Sequence, residues 1–136
     1  MTYDIVKTFT DGGSRGNPGP SASGVVLLTT DDEILENFGV FLGETTNNVA
    51  EYRALLAGLK RLIELGAAEV EIRADSELMV RQLSGRYRVK HPNLKPLFEE
   101  AVALLKKIGR YSINHVFREQ NYEADRLANQ AIDDRF

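Results

Sequence analysis

The sequence contains no cysteine among its 136 residues. This absence excludes a disulfide framework, a thiolate metal site and a cysteine nucleophile. Long apolar runs are also missing, and the first residues lack the basic, apolar and small-residue regions of a signal peptide. We therefore expect a cytoplasmic protein that has no membrane partner. Its length and its 43% hydrophobic content predict a single domain over residues 1–136, and we expect a monomer.

The chain also lacks the excess positive charge that draws many proteins to nucleic acids, because its formal net charge is -3. Any contact with a polyanion must then be local. Residues 81–95 include no acidic residue and carry several basic ones: Arg81, Arg86, Arg88, Lys90, His91 and Lys95. A solvated basic loop explains this segment about as well as a phosphate-binding surface does.

Hydrophobic periodicity predicts an alternation of strands and helices. Strands are expected at residues 3–10, 22–29, 34–42, 70–74 and 111–117, and helices at 48–65, 76–83, 94–107 and from 121 onward. The order βββαβααβα joins strands through helices, which implies that some strands are parallel neighbours. We expect an α/β fold with a five-stranded mixed sheet and helices on both faces.

Four acidic residues stand where strands end or helices begin, which is where open α/β sheets bind their ligands. Asp11 follows the first predicted strand and Asp75 the fourth, while Glu51 and Asp125 lie in the first turns of two helices. If the two strands are parallel neighbours, their acids emerge side by side. Crowded carboxylates repel one another and need a cation, and hard divalent ions prefer such oxygen ligands.

Each acid also has a simpler structural interpretation. Asp11 begins an Asp-Gly pair that is typical of turns. Asn48 and Glu51 have the spacing of a capping box, and Asp75 is placed to cap the helix that follows it. Asp125 can simply complement a helix dipole. Taken singly, these interpretations are at least as favoured as a shared site; taken together, the four acids favour the site.

Four segments resemble the signature blocks of the type 1 ribonuclease H family, in family order and over about residues 3–132. They are TDGGSRGNPGP at 10–20, TTNNVAEYRAL at 45–55, RADSELMVRQL at 73–83 and NYEADRLAN at 121–129. The resemblance implies a ribonuclease H-like fold and an endonuclease that cuts the RNA strand of RNA/DNA hybrids, leaving 5′-phosphate and 3′-hydroxyl ends. Activity on double-stranded RNA stays open.

The resemblance also assigns roles to residues. It implies two divalent ions, usually Mg²⁺ with Mn²⁺ as an alternative, clamping the attacking and leaving oxygens. Asp11 would bridge both ions, Asp125 would help hold the ion that activates water, and Glu51 and Asp75 would hold the ion facing the leaving oxygen. Substrate contacts are implied for the glycines and short polar side chains Gly12, Gly13, Ser14, Asn17, Thr46, Asn47 and Asn48.

Two features depart from the family pattern. No histidine occurs in the stretch before the last helix, where family members often carry one, and we expect Arg118 or Glu119 to take over part of its role. His115 shares a strand face with Ile113 and Phe117, which favours a partly packed structural histidine outside the site. The family's extra basic helix is also missing, so we expect Arg86, Arg88 and Lys90 to bind substrate together with Lys95.

Two other functions fit the same pattern of strands and helices. A binding module of this fold would recognise hybrid or double-stranded RNA without cutting it, although the presence of all four acids argues against it. A 3′ exonuclease or an integrase-like enzyme would also share the fold, but we expect such proteins to lack the GNPGP turn and the Asn47-Asn48 pair.

Overall fold

The computed structural model describes residues 4–135. Its five strands are β1 Ile5–Ser14, β2 Gly19–Leu28, β3 Ile34–Thr45, β4 Glu69–Ala74 and β5 Arg110–His115. Its helices are α1 Asn47–Leu65, α2 Glu77–Leu83, α3 Lys95–Ile108 and α4 Tyr122–Asp133, with a 3₁₀ turn at Arg118–Asn121. The predicted order of elements is confirmed. Residue 3, where we expected the first strand to begin, lies outside the described residues.

The sheet is mixed, as the sequence predicted, with the strand order β3-β2-β1-β4-β5. β1 pairs antiparallel with β2 and parallel with β4, and β4 pairs parallel with β5. In the register of the parallel pair, Thr10 lies opposite Ala74. Asp11 and Asp75 each follow one of these partners, so the two acids lie side by side where β4 ends.

Helices α1 and α4 pack on opposite faces of the sheet. Gly58 of α1 lies against the side chains of Thr8, Thr10 and Val25. The backbone of α4 at Ala124 lies directly over Gly24, the residue of β2 that precedes Val25. Successive side chains of a strand point to opposite faces, so the two helices cover different faces. The α1 face holds the larger core, which includes Val25, Leu55, Leu59 and Ile72.

The ends of the helices follow their sequence signals. Gly66 ends α1 with a φ of 74°, the left-handed conformation that glycine adopts without a steric penalty, and its N–H is bonded to carbonyls of the last turn. On α4 the buried residues are Ala124, Ala128 and Ile132. None of the helices within residues 4–135 combines the length and the apolar character needed to cross a bilayer.

The first strand is longer than the sequence predicted. We expected it to stop at residue 10 because DGGSRGNPGP is rich in turn formers, but β1 pairs with β2 as far as Ser14 opposite Ser21. Gly12 and Gly13 form no turn here, because they pair with Ser23 and Ala22 in the antiparallel ladder. Asp11 therefore lies inside a strand, where its backbone is held by sheet hydrogen bonds.

Candidate active site

Three acids converge where β4 ends beside β1. Asp11 of β1, Glu51 of α1 and Asp75 after β4 each offer a carboxylate oxygen, and these oxygens all lie within 4.8 Å of one another. Asp11 and Glu51 are buried, and Asp75 is half-buried. We call these three residues the acid cluster. The sequence predicted that they would meet, and the structure confirms it.

Gly12 makes the approach of α1 to β1 possible. A Cβ atom at this position would lie 2.2 Å from the carbonyl carbon of Ala50 and 2.3 Å from the backbone nitrogen of Glu51. Only glycine leaves room for the helix backbone at that distance. The Gly12 N–H donates a short hydrogen bond to the Glu51 carboxylate. The same close approach thus places Glu51 beside Asp11 and fixes its orientation.

The simpler interpretations of three acids are wrong in this structure. The Thr46 hydroxyl caps α1 by accepting from the Val49 N–H, and Glu51 instead accepts from Gly12 on the neighbouring strand. Ser76, and not Asp75, caps α2. Asp11 lies within β1 and begins no turn. The three carboxylates are therefore not used to stabilise the local backbone conformations that their sequence positions suggested.

Electrostatics in the acid cluster favour protons or cations. Burial raises the pKa of Asp11 well above that of an ordinary aspartate, and the nearby carboxylates of Glu51 and Asp75 raise it further. Burial and the Asp75 charge also raise the pKa of Glu51, although its hydrogen bond from Gly12 acts in the opposite direction. Such a cluster is relieved when a divalent cation binds, and its all-oxygen ligand set is the one that Mg²⁺ prefers.

A fourth acid reaches the cluster from the opposite face of the sheet. Asp125 lies in the first turn of α4, is half-buried, and interacts through its side chain with Asp11, which contributes to the raised pKa of Asp11. Its Oδ1 is 3.6 Å from Nη2 of Arg118, whose side chain is 78% exposed. Helix-dipole compensation is consistent with this position, but the helix also brings Asp125 to the site.

The four acids line one open cavity of about 560 Å³. Several predicted substrate-binding residues line it with them: Gly12, Gly13, Ser14 and Asn47. The other predicted contacts from these two segments, Asn17, Thr46 and Asn48, do not line it. Thr46 caps α1, Asn48 is exposed in the first turn of that helix, and Asn17 accepts a hydrogen bond of 3.0 Å from the Asn47 N–H. The Asn17-Pro18 peptide bond is cis.

Arg15 and Asn129 also line this cavity and were not predicted. Nη1 of Arg15 is 2.6 Å from the Asp133 carboxylate, and Nη2 donates to the Asn129 carbonyl at 3.3 Å. These contacts join the glycine-rich end of β1 to α4, the helix that carries Asp125. The sequence signal was available in the GSRGNPGP segment, but the partners on α4 lie more than a hundred positions away.

His115 is exposed, whereas the sequence predicted a partly packed histidine; its exclusion from the catalytic residues stays a prediction. The His115 side chain is exposed and lines the same cavity as the acids, together with Phe117 and Arg118. Its ring contacts Phe117 edge to face, with 5.5 Å between the centroids. Strand alternation placed the two aromatic residues on one face correctly, but His115 is the last residue of β5, and Phe117 lies beyond the strand.

The predicted phosphate-binding cations lie on a separate surface. Arg86, Arg88 and Lys90, which we call the loop cations, are exposed in the connection between α2 and α3 and do not line the acid cavity. Val89 between them is buried, and Tyr87 receives a hydrogen bond of 3.2 Å from Arg81. The connection is thus anchored at two points and presents its cations to solvent.

Known proteins share this fold. The family described as reverse transcriptase-like matches residues 9–131. RNase H1 from the halophilic archaeon Halobacterium salinarum superposes with a TM-score of 0.93 at 43% identity, over 96% of this chain and 98% of that one. LC11-RNase H1, solved in complex with an RNA/DNA hybrid, gives a TM-score of 0.90 at 44% identity, over 94% of this chain and 96% of that one.

The chain belongs to the ribonuclease H family. A bifunctional protein of Mycobacterium tuberculosis is 49% identical over 124 residues, which make up 90% of this chain but 34% of that protein. The chain thus spans about a third of the length of the mycobacterial relatives that it matches. The family match and the similarity of the fold confirm the resemblance noted in the sequence.

Proposed function

We propose that this chain is an endonuclease that hydrolyses the RNA strand of RNA/DNA hybrids. The observation that carries the proposal is the convergence of the acid cluster within 4.8 Å, in an open cavity whose walls include glycines and short polar side chains. Similarity to an RNase H1 bound to an RNA/DNA hybrid, at 44% identity, supports the choice of substrate. The packing of residues 4–135 around one sheet supports a single domain.

Divalent cations are the cofactors that this site suits. Two ions, Mg²⁺ or Mn²⁺, would be held by the acid cluster and Asp125, and when bound they would supply activation of water and charge neutralisation at the scissile phosphate. The raised pKa values of Asp11 and Glu51 support this assignment, because burial and neighbouring carboxylates disfavour their charged forms and a bound cation would offset that cost. Asp11 interacts with Asp125 as well as with Glu51 and Asp75, which supports its role as the shared ligand.

The remaining cavity residues would position the substrate. Gly12 and Gly13 allow a nucleic acid strand to approach the backbone, and the amide of Asn47 and the hydroxyl of Ser14 are suited to reading 2′-hydroxyl groups, which distinguish RNA from DNA. Arg118 would stabilise charge on the scissile or departing phosphate from its place beside Asp125. Cleavage breaks the P–O3′ bond, which leaves a 5′-phosphate and a 3′-hydroxyl.

The test is cleavage of an RNA/DNA hybrid labelled on its RNA strand, with both ends of the duplex blocked. We expect internal cuts in Mg²⁺ or Mn²⁺ and none in EDTA, with RNA/RNA and DNA/DNA duplexes run alongside to define the substrate range. Asp11→Asn, Glu51→Gln and Asp75→Asn should each lose almost all activity while remaining folded. Asp31→Asn, which neutralises an exposed acid that does not line the cavity, is the matched control.

Three results would contradict the proposal. Tight binding of the hybrid without any cleavage would identify a binding module. Digestion of open ends only, with blocked duplexes left intact, would identify an exonuclease. Near-normal turnover in a variant of the acid cluster would remove the role assigned to that residue.

A further inference from the structure

Phe117 is an exposed aromatic residue in the cavity that holds the four acids. Its side chain is 68% exposed, and it lines the cavity together with the acid cluster, Asp125 and Arg118. Exposure alone means little, since single exposed apolar residues are common on protein surfaces. Tyr122 illustrates this, because it is 69% exposed and does not line that cavity.

The backbone on both sides of Phe117 is fixed to the strands that carry the acids. The Val116 N–H donates to the Ala74 carbonyl at 2.9 Å, immediately before Asp75. The buried Asn121 side chain donates to the Thr10 carbonyl at 2.8 Å, immediately before Asp11. The position of the segment between these two bonds is therefore set relative to the two acids.

Phe117 itself begins the turn with two hydrogen bonds to one residue. Its N–H donates to Oε1 of Gln120 at 3.2 Å, and its carbonyl accepts from the Gln120 N–H at 2.9 Å. The phenyl ring is further supported by its edge-to-face contact with His115, at 5.5 Å between centroids and an interplanar angle of 80°. Binding a ligand to an exposed ring whose orientation is already restricted loses little conformational entropy of the side chain.

We propose that Phe117 packs against the sugar of an RNA nucleotide next to the scissile phosphate, and that His115 is a positioning residue that orients the phenyl ring. This inference rests on the proposed function. In a hybrid duplex the faces of the bases are covered by their neighbours, and the minor groove displays sugars and base edges. A phenyl ring offers no hydrogen bond, so the C–H surface of a sugar is the matching partner. Phe117 precedes Arg118, whose guanidinium contacts Asp125, so Phe117 lies close to the acids at which the proposed function places the cleaved RNA strand.

The first test measures KM and kcat on the hybrid for Phe117→Ala and Phe117→Leu, with Tyr122→Ala as the matched control. We expect Phe117→Ala to raise KM about 5- to 20-fold, within the range of aromatic contacts to nucleotides, and to change kcat little. Phe117→Leu, which keeps an apolar surface, should lose less. The salt dependence of KM should stay unchanged because no phosphate contact is removed. Equal KM values for wild type and Phe117→Ala would overturn the proposal.

The second test separates positioning from proton transfer at His115. His115→Phe keeps an aromatic edge against Phe117 and should restore the KM that His115→Ala raises. If His115→Phe were as impaired as His115→Ala, the ring contact would not be the role of His115. A KM effect of Phe117→Ala that depends on the identity of the neighbouring bases would argue against a sugar contact.

A binding measurement keeps this inference separate from the proposed reaction. Fluorescence anisotropy of a labelled hybrid with Asp11→Asn, alone and combined with Phe117→Ala, reports affinity without cleavage. A higher Kd for the double variant than for Asp11→Asn supports the contact even if the wild type proves to be inactive. An unchanged Kd would refute the contact even if the wild type cleaves the hybrid.

Discussion

Replacing Asp11 with asparagine should make the metal-free protein more stable at the expense of its activity. At 4.8 Å, the largest separation within the acid cluster, two carboxylate charges repel by about 3 kcal/mol at an effective dielectric constant of about 20. Asp11 has two such neighbours in the acid cluster, so full ionisation without a cation costs more than the uptake of a proton. An amide at position 11 removes one charge from the cluster and donates to the carboxylates that remain.

The sign of the pH dependence follows from the raised pKa of Asp11. In the unfolded chain this carboxyl ionises at a pH of about 4. In the fold it keeps its proton to much higher pH, because burial and then Glu51 and Asp75 disfavour the charge. Above pH of about 4 the folded state therefore binds more protons than the unfolded state, and stability falls as the pH rises. At pH 8, about four pH units above the unfolded pKa, keeping the Asp11 carboxyl protonated lowers the free energy of unfolding by at most about 5 kcal/mol. This counts about 1.4 kcal/mol for each pH unit.

The assay is urea denaturation in EDTA at pH 5 and pH 8. We expect Asp11→Asn to be more stable than wild type by about 2 to 4 kcal/mol at pH 8 and by about 1 kcal/mol at pH 5. The difference is smaller at pH 5 because that pH lies only about one unit above the pKa of the carboxyl in the unfolded chain. Asp31→Asn should be neutral at both values. Mg²⁺ should stabilise wild type more than the variant, because it binds the folded state. A variant less stable than wild type at pH 8, or a difference independent of pH, would refute this account.

Three further predictions concern the surroundings of the acids. Gly12→Ala should destabilise the fold by about 3 kcal/mol or more, because its methyl group overlaps the α1 backbone, whereas Gly13→Ala, with nothing within 4 Å, should be nearly neutral in thermal denaturation. Neutralising all three loop cations should raise KM and reduce its salt slope by about one for each lost phosphate contact, with kcat unchanged; a KM insensitive to the change would leave only a solvated loop. Arg118→Ala should lower kcat more than His115→Ala does, and the wild-type pH profile should show no inflection near the imidazole pKa of about 6.5. An inflection that His115→Ala abolishes would place proton transfer on His115.

The fold and the acids could be predicted because both leave local patterns. Apolar spacing and the Gly66 stop located α1, and the positions of Asp11 and Asp75 after two strands were enough to predict their meeting once those strands were taken as parallel. The sequence could not decide whether Glu51 caps its own helix or reaches another element. The deciding contact, with Gly12, joins residues 39 positions apart.

The environment of His115 was beyond the reach of local patterns for a related reason. Alternation along β5 indicates which side chains share a face, but not whether another element covers that face. Ile113 is packed against the core, whereas His115, two residues on and at the end of the strand, is exposed. The same limit applies to Arg15, whose partners on α4 become visible only when the chain is folded.

The acid cluster is assembled by elements that are each stable for other reasons. β1 and β4 are joined by their parallel ladder, α1 is held to β1 by a buried apolar face, and α4 packs on the opposite side of the sheet. The repulsion of a few kcal/mol at the cluster is small beside the burial of such a core. The fold can therefore hold its carboxylates close together before any cation arrives. Their mutual repulsion then becomes affinity for a divalent ion, because binding relieves a cost that the folded protein already bears.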